Sequence, residues 1–252
     1  MPPSPATRPD RWHLPEDDDL HPPDGRRAPS SGQTREVEAP FPLLEHLTVA
    51  QLVGRARRLV GGGRTLLGLT GPPGTGKSTV ARRVVAALGE QAALVPMDGF
   101  HLDDAVLDAL GRRGRKGAPD TFDADGSVHL LRRLRARDEQ VVYAPVFRRR
   151  HEHAAAGALS VPQEVPLVVT EGNYLLLDGP FRAVRDLLDE VWYVDLDPVV
   201  RHRRLVARHV RHGRSLEQAR AWVDGTDEPN ARLVDATRSR ADLVLRLGQE
   251  PA

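Results

Sequence analysis

The sequence predicts an α/β domain in which a mainly parallel five-stranded sheet is covered by helices on both faces, giving a three-layer sandwich with a small lid. Two observations predict this fold. Short apolar runs alternate with stretches of helical periodicity through most of the 252 residues. One apolar run leads straight into a glycine-rich turn and then a helical stretch, an order typical of parallel sheets that bind ligands where their strands end.

The five predicted strands are short apolar runs bounded by turn residues. They cover residues 65–70, 92–97, 167–170, 190–195 and 242–247. Helical periodicity is clearest in the stretches between them. These predicted helices cover residues 78–88, 125–137, 181–188, 198–212 and 215–223.

The chain divides into a tail and one folded domain. Residues 1–42 are dense in Pro, Asp, Arg, Ser and Gly, so we expect a disordered tail that buries too little apolar surface to fold. We expect the domain to cover residues 43–252 and to open with an amphipathic helix over 44–59, before three glycines. Residues from about 208 to 232 are predicted to form the lid.

Composition excludes several classes of protein. The balance of 36 basic and 35 acidic residues provides no general attraction to nucleic acid. The absence of cysteine excludes disulfides, thiolate metal sites and cysteine nucleophiles. No apolar run approaches the roughly 20 residues that cross a bilayer, and no signal peptide is recognisable, so we expect a cytoplasmic protein without a membrane partner. No heptad pattern indicates an interface, and a homodimer is left open.

The glycine-rich turn matches G-x-x-x-x-G-K-[ST], the P-loop motif, between a predicted strand and a predicted helix. It reads Gly71-Pro72-Pro73-Gly74-Thr75-Gly76-Lys77-Ser78-Thr79. Its backbone amides and the helix N-terminus suit a bound phosphate. We expect ATP to bind here, with Lys77 bridging its β- and γ-phosphates and the Ser78 hydroxyl on Mg²⁺.

Two carboxylates follow predicted strands at the edge where the phosphates are expected. Asp98 follows the second strand and is suited to accept the proton of an attacking hydroxyl, although an Asp-Gly turn cap is the structural alternative. Glu171 follows the third strand, and its carboxylate has three open roles. It binds Mg²⁺ directly, binds it through water, or orients the attacking hydroxyl.

Other classes of P-loop protein fit the sequence less well. Only two of the 36 basic residues are lysines, Lys77 and Lys116, and Lys116 stands in Arg-Lys-Gly-Ala rather than in a guanine-reading Asn-Lys-x-Asp. Glu171 is followed by Gly172 and lacks the Asp-Glu pair of motor and AAA-type ATPases. The sequence therefore favours phosphorylation of a small molecule.

Five motifs resemble the uridine kinase and type I pantothenate kinase superfamily, most closely its bacterial branch of nucleoside/nucleotide kinase-like proteins. Together the motifs span about residues 65 to 245. They are Gly71 to Thr79, Met97 to Asp104, Arg115 to Asp123, Val168 to Leu177 and the arginine-rich stretch after Asp195.

The resemblance implies a set of roles for matching residues. It makes Asp98 the general base, Glu171 a support for metal and substrate, and Asp120 a contact for substrate hydroxyls. It places arginines of the helix and lid after the fourth strand near the ATP phosphates, here Arg204, Arg208 and Arg214. It also places Asn230, in Pro-Asn-Ala, near the acceptor pocket.

The acceptor-recognition motif departs from the uridine kinase pattern. Where those enzymes carry Tyr-Asp-Phe after a proline, this chain reads Pro145-Val146-Phe147-Arg148-Arg149-Arg150. Phe147 stays a candidate for base stacking, and the arginines either bind an anionic acceptor or form a solvated turn. Two further candidates are open: His101 contacts substrate or packs beneath its loop, and Lys116 contacts substrate or an internal acid.

Our hypothesis is an ATP- and Mg²⁺-dependent kinase for a small hydroxyl acceptor, such as a nucleoside, a pantothenate-like compound or a sugar. Asp98, Lys77 and Arg208 are the predicted catalytic residues, with Asp98 as base and the two cations neutralising the phosphates. One alternative is a nucleoside monophosphate kinase. Another is a nucleotide-binding regulatory protein with weak or no ATPase activity.

Overall fold

A computed structural model describes residues 44–149 and 151–247 of the chain. The tail predicted over residues 1–42 lies outside the described residues, as does Arg150. Six of the described strands form one sheet and two form a separate hairpin. The strands are β1 (Leu44–Leu47), β2 (Thr65–Thr70), β3 (Ala92–Pro96), β4 (Val141–Arg148), β5 (His153–Pro162), β6 (Leu167–Glu171), β7 (Glu190–Asp195) and β8 (Leu243–Leu247).

The α-helices alternate with the strands of the large sheet. They are α1 (Val49–Arg58), α2 (Lys77–Leu88), α3 (Asp104–Ala109), α4 (Ala124–Ala136), α5 (Arg182–Leu187), α6 (Pro198–Arg211), α7 (Leu216–Trp222) and α8 (Glu228–Asp235). Among the described residues, no helix has the length and apolar character needed to span a membrane.

The large sheet is parallel throughout, in the order β1-β8-β7-β2-β6-β3. β2 therefore pairs with β6 and β7, and β3 pairs with β6. Because parallel strands end at the same edge of a sheet, β2, β6 and β3 deliver the residues after them to one place. The predicted α/β fold with a mainly parallel sheet is confirmed.

The sheet has six strands instead of the five predicted, because Leu44–Leu47 forms β1 and pairs with β8. We expected these residues to begin an amphipathic helix. That helix starts later, at Val49, with Thr48 as its N-cap. The Thr48 side chain accepts from the backbone N–H of Gln51, and the Gln51 side chain accepts from the backbone N–H of Thr48. This capping box ends the helix on its N-terminal side and leaves the preceding residues to pair as a strand.

Apolar layers cover both faces of the sheet. On one face Leu67 and Leu69 of β2 pack in a cluster with residues of α1 and α2, and on the other Leu66 packs in a cluster with α4, α5 and the hairpin. Neighbouring strand residues point to opposite faces, so one apolar strand supplies both layers. All five residues of β6 are buried, as expected of a parallel strand between two helical layers.

The hairpin of β4 and β5 was not predicted. Its antiparallel register shifts between Ala144 and Val146, around Pro145. A proline and a following arginine run obscure the strand pattern in the sequence, since proline removes a ladder hydrogen bond. Val142 and Val161 bury the hairpin against the second apolar layer, which holds the far end of β4 beside the carboxyl end of β3.

The predicted lid over residues 208–232 comprises the end of α6, α7, one π-helical turn at Val223–Asp227 and α8. α7 begins with a second capping box, between Ser215 and Gln218. The π-turn links two short helices, and such turns are often found at functional sites. Movement of this region as a lid stays a prediction.

Candidate active site

The glycine-rich turn joins β2 to α2, and its glycines are required by close packing. At Gly71, with φ at 139°, an added Cβ would lie 2.4 Å from the carbonyl oxygen of Val194 on β7. At Gly74, with φ at 86°, an added Cβ would lie 2.8 Å from Cγ of Leu205 on α6. Only glycine combines the positive φ with the small space available at these two positions. The glycines therefore allow a turn of the kind whose backbone amides bind phosphate.

Lys77 is the first residue of α2 and is buried, with 6% of its surface exposed. Its Nζ donates to the carbonyl oxygen of Pro72, 2.9 Å away within the same loop. Burial lowers the pKa of Lys77 to about 8, and the charges of Glu171 and Asp98 partly oppose this shift. A desolvated ammonium beside a phosphate cradle has a strong electrostatic preference for an anion.

Ser78 and Glu171 meet where the first turn of α2 faces the end of β6. The Ser78 hydroxyl donates to Oε1 of Glu171 over 2.8 Å. Burial raises the pKa of Glu171, as does the charge of Asp98, while Lys77 and the Ser78 hydrogen bond act in the opposite direction. Hydroxyl and carboxylate oxygens are ligands that Mg²⁺ prefers, so these two side chains fit a magnesium site beside the phosphate cradle.

Asp98 lies in the 3₁₀ turn Met97–Phe100 that follows β3. Its Oδ2 accepts from Nη2 of Arg149, 2.9 Å away in the segment just after β4. An added Cβ at Gly99 would lie 2.4 Å from the carbonyl oxygen of Pro145, so the turn and the hairpin touch at the backbone. This contact brings a hairpin arginine to the candidate base.

A row of three rings forms one wall of the cleft. The His101 ring lies between Phe122 and Phe147, at centroid distances of 4.0 and 4.4 Å. His101 also contacts the carbonyl oxygen of Asp98 through Nδ1, over 2.8 Å. Burial lowers the pKa of His101, against the opposing charge of Asp98, so the ring favours its neutral form.

Lys116 contacts three separate segments that line the cleft. Its Nζ donates to Oδ1 of Asp104 over 2.7 Å and to the carbonyl oxygen of Glu152 over 2.6 Å. The same Nζ lies 5.3 Å from the ring centroid of Phe147. Lys116 thus contacts an internal acid, one of the two alternatives left by the sequence, and it also lines the cleft; its contact with substrate stays a prediction.

The carbonyl oxygen of Gly117, the residue after Lys116, accepts two hydrogen bonds. It accepts from the Tyr174 hydroxyl and, over 3.4 Å, from Nδ2 of Asn230 on α8. Asn230 is buried at the cleft. These bonds tie α8 and the loop after β6 to the segment that carries Lys116.

Arg204, Arg208 and Arg214 all line the same cleft as the glycine-rich turn. Burial lowers the pKa of Arg208, although the charge of Asp227 favours its cationic form. Arg208 therefore stands as a partly desolvated cation, the kind that interacts strongly with phosphate. Arg211, at helical spacing i+3 from Arg208, also lines the cleft. Because residues three apart lie on the same face of a helix, this spacing could have identified Arg211 as a candidate phosphate contact.

A network within residues 208–232, which the sequence reasoning missed, holds Arg214. Arg214 donates to Nδ1 of His209 over 2.9 Å, and His209 contacts Asp227 through Nε2 over 2.8 Å. The guanidinium of Arg214 also stacks on Trp222, 3.9 Å from the ring centroid. This network could not be predicted from the sequence, because it forms only when the π-turn brings Asp227 into contact with His209 of α6.

Asp120 is the predicted substrate contact that does not line the cleft. It forms ion pairs with Arg115 at 2.5 Å and Arg112 at 3.5 Å on the outer side of its turn. The pKa of Asp120 is lowered by its hydrogen bond to Arg115. The structure thus gives this carboxylate a local partner on the surface, where the resemblance implied contact with substrate hydroxyls.

The cleft has a volume of about 1060 Å³, enough for a nucleotide and a second small molecule. Nine lysines and arginines line it against five aspartates and glutamates. This excess contrasts with the near balance of the whole chain, 36 against 35. The positive charge is therefore concentrated where a polyanion would lie.

A parallel α/β sheet with a P-loop after β2, and carboxylates at the carboxyl ends of β6 and β3, defines a nucleotide-binding protein of the P-loop kinase class. The chain belongs to the phosphoribulokinase/uridine kinase family, whose model matches residues 66–251. It is a kinase acting on small molecules, a phosphotransferase with an alcohol acceptor.

Relatives cover most of the chain. It is 32% identical over 233 residues to the uncharacterised protein YggC of Escherichia coli, covering 90% of this chain and 94% of YggC. It is 31% identical over 195 residues to a candidate uridine kinase of Schizosaccharomyces pombe, covering 73% and 83%. A crystal structure of a candidate fructose transport system kinase from Silicibacter sp. TM1040 superposes with a TM-score of 0.72 at 38% identity, covering 79% and 98%.

Proposed function

We propose that this protein transfers the γ-phosphoryl group of ATP to a hydroxyl of a nucleoside, a sugar or a pantothenate-like compound. One observation carries the proposal. Three adjacent strands, β2, β6 and β3, end beside one cleft with a phosphate cradle, a buried carboxylate and a half-buried carboxylate respectively. Phosphoryl transfer needs these parts together: anion binding, metal support and a base near the acceptor.

The phosphate side of the cleft supports ATP as donor. The space for the triphosphate is surrounded by the amides of residues 71–79, the buried ammonium of Lys77 and three arginines, Arg204, Arg208 and Arg214. Ser78 and Glu171 would hold Mg²⁺, which when bound supplies positive charge to the phosphate oxygens. Lys77, which is buried, and Arg208, which is partly buried, stabilise the charge that gathers on the transferring group.

Asp98 is the candidate base on the acceptor side. As the acceptor oxygen bonds to the γ-phosphorus, the hydroxyl proton passes to the Asp98 carboxylate and the bond from that phosphorus to the β,γ-bridging oxygen breaks, releasing ADP. His101, Lys116, Phe147 and Asn230 line the same side and are the candidate acceptor contacts. Lys116 retains one N–H beyond its two described bonds, which suits an acceptor oxygen.

The geometry supports a hydroxyl acceptor better than a nucleoside monophosphate. A second phosphate would need unpaired cations on the acceptor side. Among the described residues there, Arg113 and Lys116 contact Asp104, and Arg149 contacts Asp98. Each of these cations therefore already has a carboxylate partner, which a second phosphate would have to displace.

An acceptor screen tests the proposal. The purified protein is supplied with ATP and Mg²⁺ together with uridine, D-fructose, pantothenate or uridine monophosphate, and ADP release and product mass are measured. The expected result is strong stimulation by one hydroxyl compound, with a product heavier by one phosphoryl group. Uniform basal hydrolysis with every compound would support a nucleotide-binding regulatory protein instead, and phosphorylation of the monophosphate alone would support a monophosphate kinase.

A further inference from the structure

The contact between Arg149 and Asp98 has no role in the transfer step described above. Nη2 of Arg149 donates to Oδ2 of Asp98 over 2.9 Å, at the face of the carboxylate that lines the cleft. A base must present an oxygen within hydrogen-bonding reach of the hydroxyl that it deprotonates. Here one of the two carboxylate oxygens is already engaged by a cation.

The backbone around Arg149 is held on both sides. Before it, Pro145 packs against the turn of Asp98, where an added Cβ at Gly99 would lie 2.4 Å from the Pro145 carbonyl oxygen. After it, the carbonyl oxygen of Glu152 accepts from Lys116 over 2.6 Å. Both contacts fix described backbone positions, one on either side of Arg149 in the chain.

The ion pair itself is easily replaced. The Arg149 side chain is 53% exposed and that of Asp98 30% exposed. Pairs this accessible to water contribute little and can be exchanged for contacts of similar strength. An acceptor that also contacts Lys116 and the rings of His101 and Phe147 can displace the guanidinium from Asp98. A lone water molecule has only one oxygen with which to compete for this carboxylate.

Resting on the proposed kinase function, we infer that Arg149 is a specificity-determining residue that engages Asp98 until an acceptor displaces it and thereby disfavours water as the nucleophile. With water in the acceptor position, its oxygen would bond to the γ-phosphorus, its proton would pass to Asp98 and ADP would leave, giving inorganic phosphate. Arg149 opposes this hydrolysis because, in the absence of acceptor, it engages Oδ2 of Asp98 and holds a positive charge beside the carboxylate that would accept the proton. Once displaced, it lies close enough to donate to an acceptor oxygen.

The first test is acceptor-independent release of inorganic phosphate from ATP and Mg²⁺. The free energy of a half-exposed ion pair corresponds to a factor of about two to five, so Arg149→Ala should raise basal hydrolysis by roughly that factor. Arg149→Lys should stay near the wild-type rate. Arg148→Ala, a neighbouring exposed arginine that does not line the cleft, is the matched control and should change nothing.

Two further measurements make the result decisive. Combining Arg149→Ala with Asp98→Asn should remove the increase, since the effect acts through Asp98. With the best acceptor of the screen, Arg149→Ala should raise the ratio of inorganic phosphate to phosphorylated acceptor, and an acceptor-bound structure should show Arg149 displaced from Asp98 with Pro145 and Glu152 unmoved. Unchanged basal hydrolysis and an unchanged product ratio in Arg149→Ala would overturn the inference while leaving the kinase function intact. Absence of any phosphorylated product from the wild type would instead refute the proposed function.

Discussion

The hydroxyl of Ser78 donates a 2.8 Å hydrogen bond to the carboxylate of Glu171, joining the first turn of α2 to the end of β6. The P-loop and the neighbouring strand are thus in direct contact at their oxygen-bearing residues. Burial raises the pKa of this carboxylate, so its charge is costly without a cation beside it. A divalent cation at this position would remove that cost.

Glu171→Gln should weaken the magnesium dependence of nucleotide binding. The amide keeps the shape of the side chain but removes its charge, so we expect Mg²⁺ to enhance ATP affinity about tenfold less than in the wild type. Calorimetric titration of ATP with Mg²⁺ and with EDTA measures this enhancement. Glu90→Gln, at an exposed glutamate outside the cleft, is the control, and an equal enhancement in both variants would contradict the metal role of Glu171.

Nucleotide binding should take up a proton near pH 8. The pKa of Lys77 is about 8 in the free protein because the ammonium is buried, so about half of the molecules carry it uncharged at that pH. A triphosphate favours the charged form, so binding should bring in roughly half a proton at pH 8 and affinity should fall as pH rises further. Titrations in HEPES and Tris buffers, which differ in ionisation enthalpy and contain no phosphate to compete with the nucleotide, reveal the uptake.

At pH 7 Lys77 is mostly charged before and after binding, so the uptake there should be small. This pH is the internal control for the same protein. Equal binding enthalpies in the two buffers at pH 8, after correction for the nucleotide itself, would show that Lys77 does not change protonation on binding.

Gly74→Ala should impair both stability and nucleotide binding. The new methyl group would enter a backbone position at φ 86° and meet Leu205 at 2.8 Å, so we expect a loss of about 1–3 kcal/mol in the free energy of unfolding. Urea denaturation and ATP titration measure the two effects. Gly62→Ala, where a Cβ meets nothing within 4 Å, should leave both near their wild-type values. Equal behaviour of the two variants would refute the packing of the P-loop against α6.

Arg208→Ala should slow transfer far more than it weakens binding. A partly desolvated arginine beside a transferring phosphoryl group stabilises its charge mainly in the transition state, so kcat should fall by about 10³-fold with a smaller change in KM for ATP. Arg203→Ala is the matched control on the same helix, since Arg203 is exposed and does not line the main cleft. A comparable loss in both variants would point to damage of α6 instead of catalysis.

Local patterns were sufficient to predict five strands of the sheet and the position of the glycine-rich turn between β2 and α2. Apolar runs with fixed period identify β2, β3, β6, β7 and β8, and the P-loop motif fixes where the phosphates belong. Glu171 and Asp98 were found because a carboxylate directly after a strand must lie at the carboxyl edge of a parallel sheet. The strand order β2-β6-β3, which brings the two acids together, is a tertiary fact that confirms this reasoning.

The contact partners of individual strands and side chains could not be predicted from the sequence. β1 was assigned to a helix because apolar spacing near 3.6 overlapped a four-residue strand, and only its pairing with β8 separates the two. Asp120 follows a family motif, yet two arginines five and eight residues before it in the chain hold it on the surface. The contact of Arg149 with Asp98 depends on the packing of Gly99 against Pro145, which no local pattern records.

The most direct test of the account is the turnover of Asp98→Asn with the acceptor found in the screen. The amide cannot accept the proton, so we expect kcat to fall by about 10²- to 10⁴-fold while the affinity for ATP with Mg²⁺ stays within about twofold of wild type. Asp186→Asn, at an exposed aspartate of α5, should behave as the wild type. Near-normal phosphorylation of the acceptor by Asp98→Asn would contradict the assignment of Asp98 as the base.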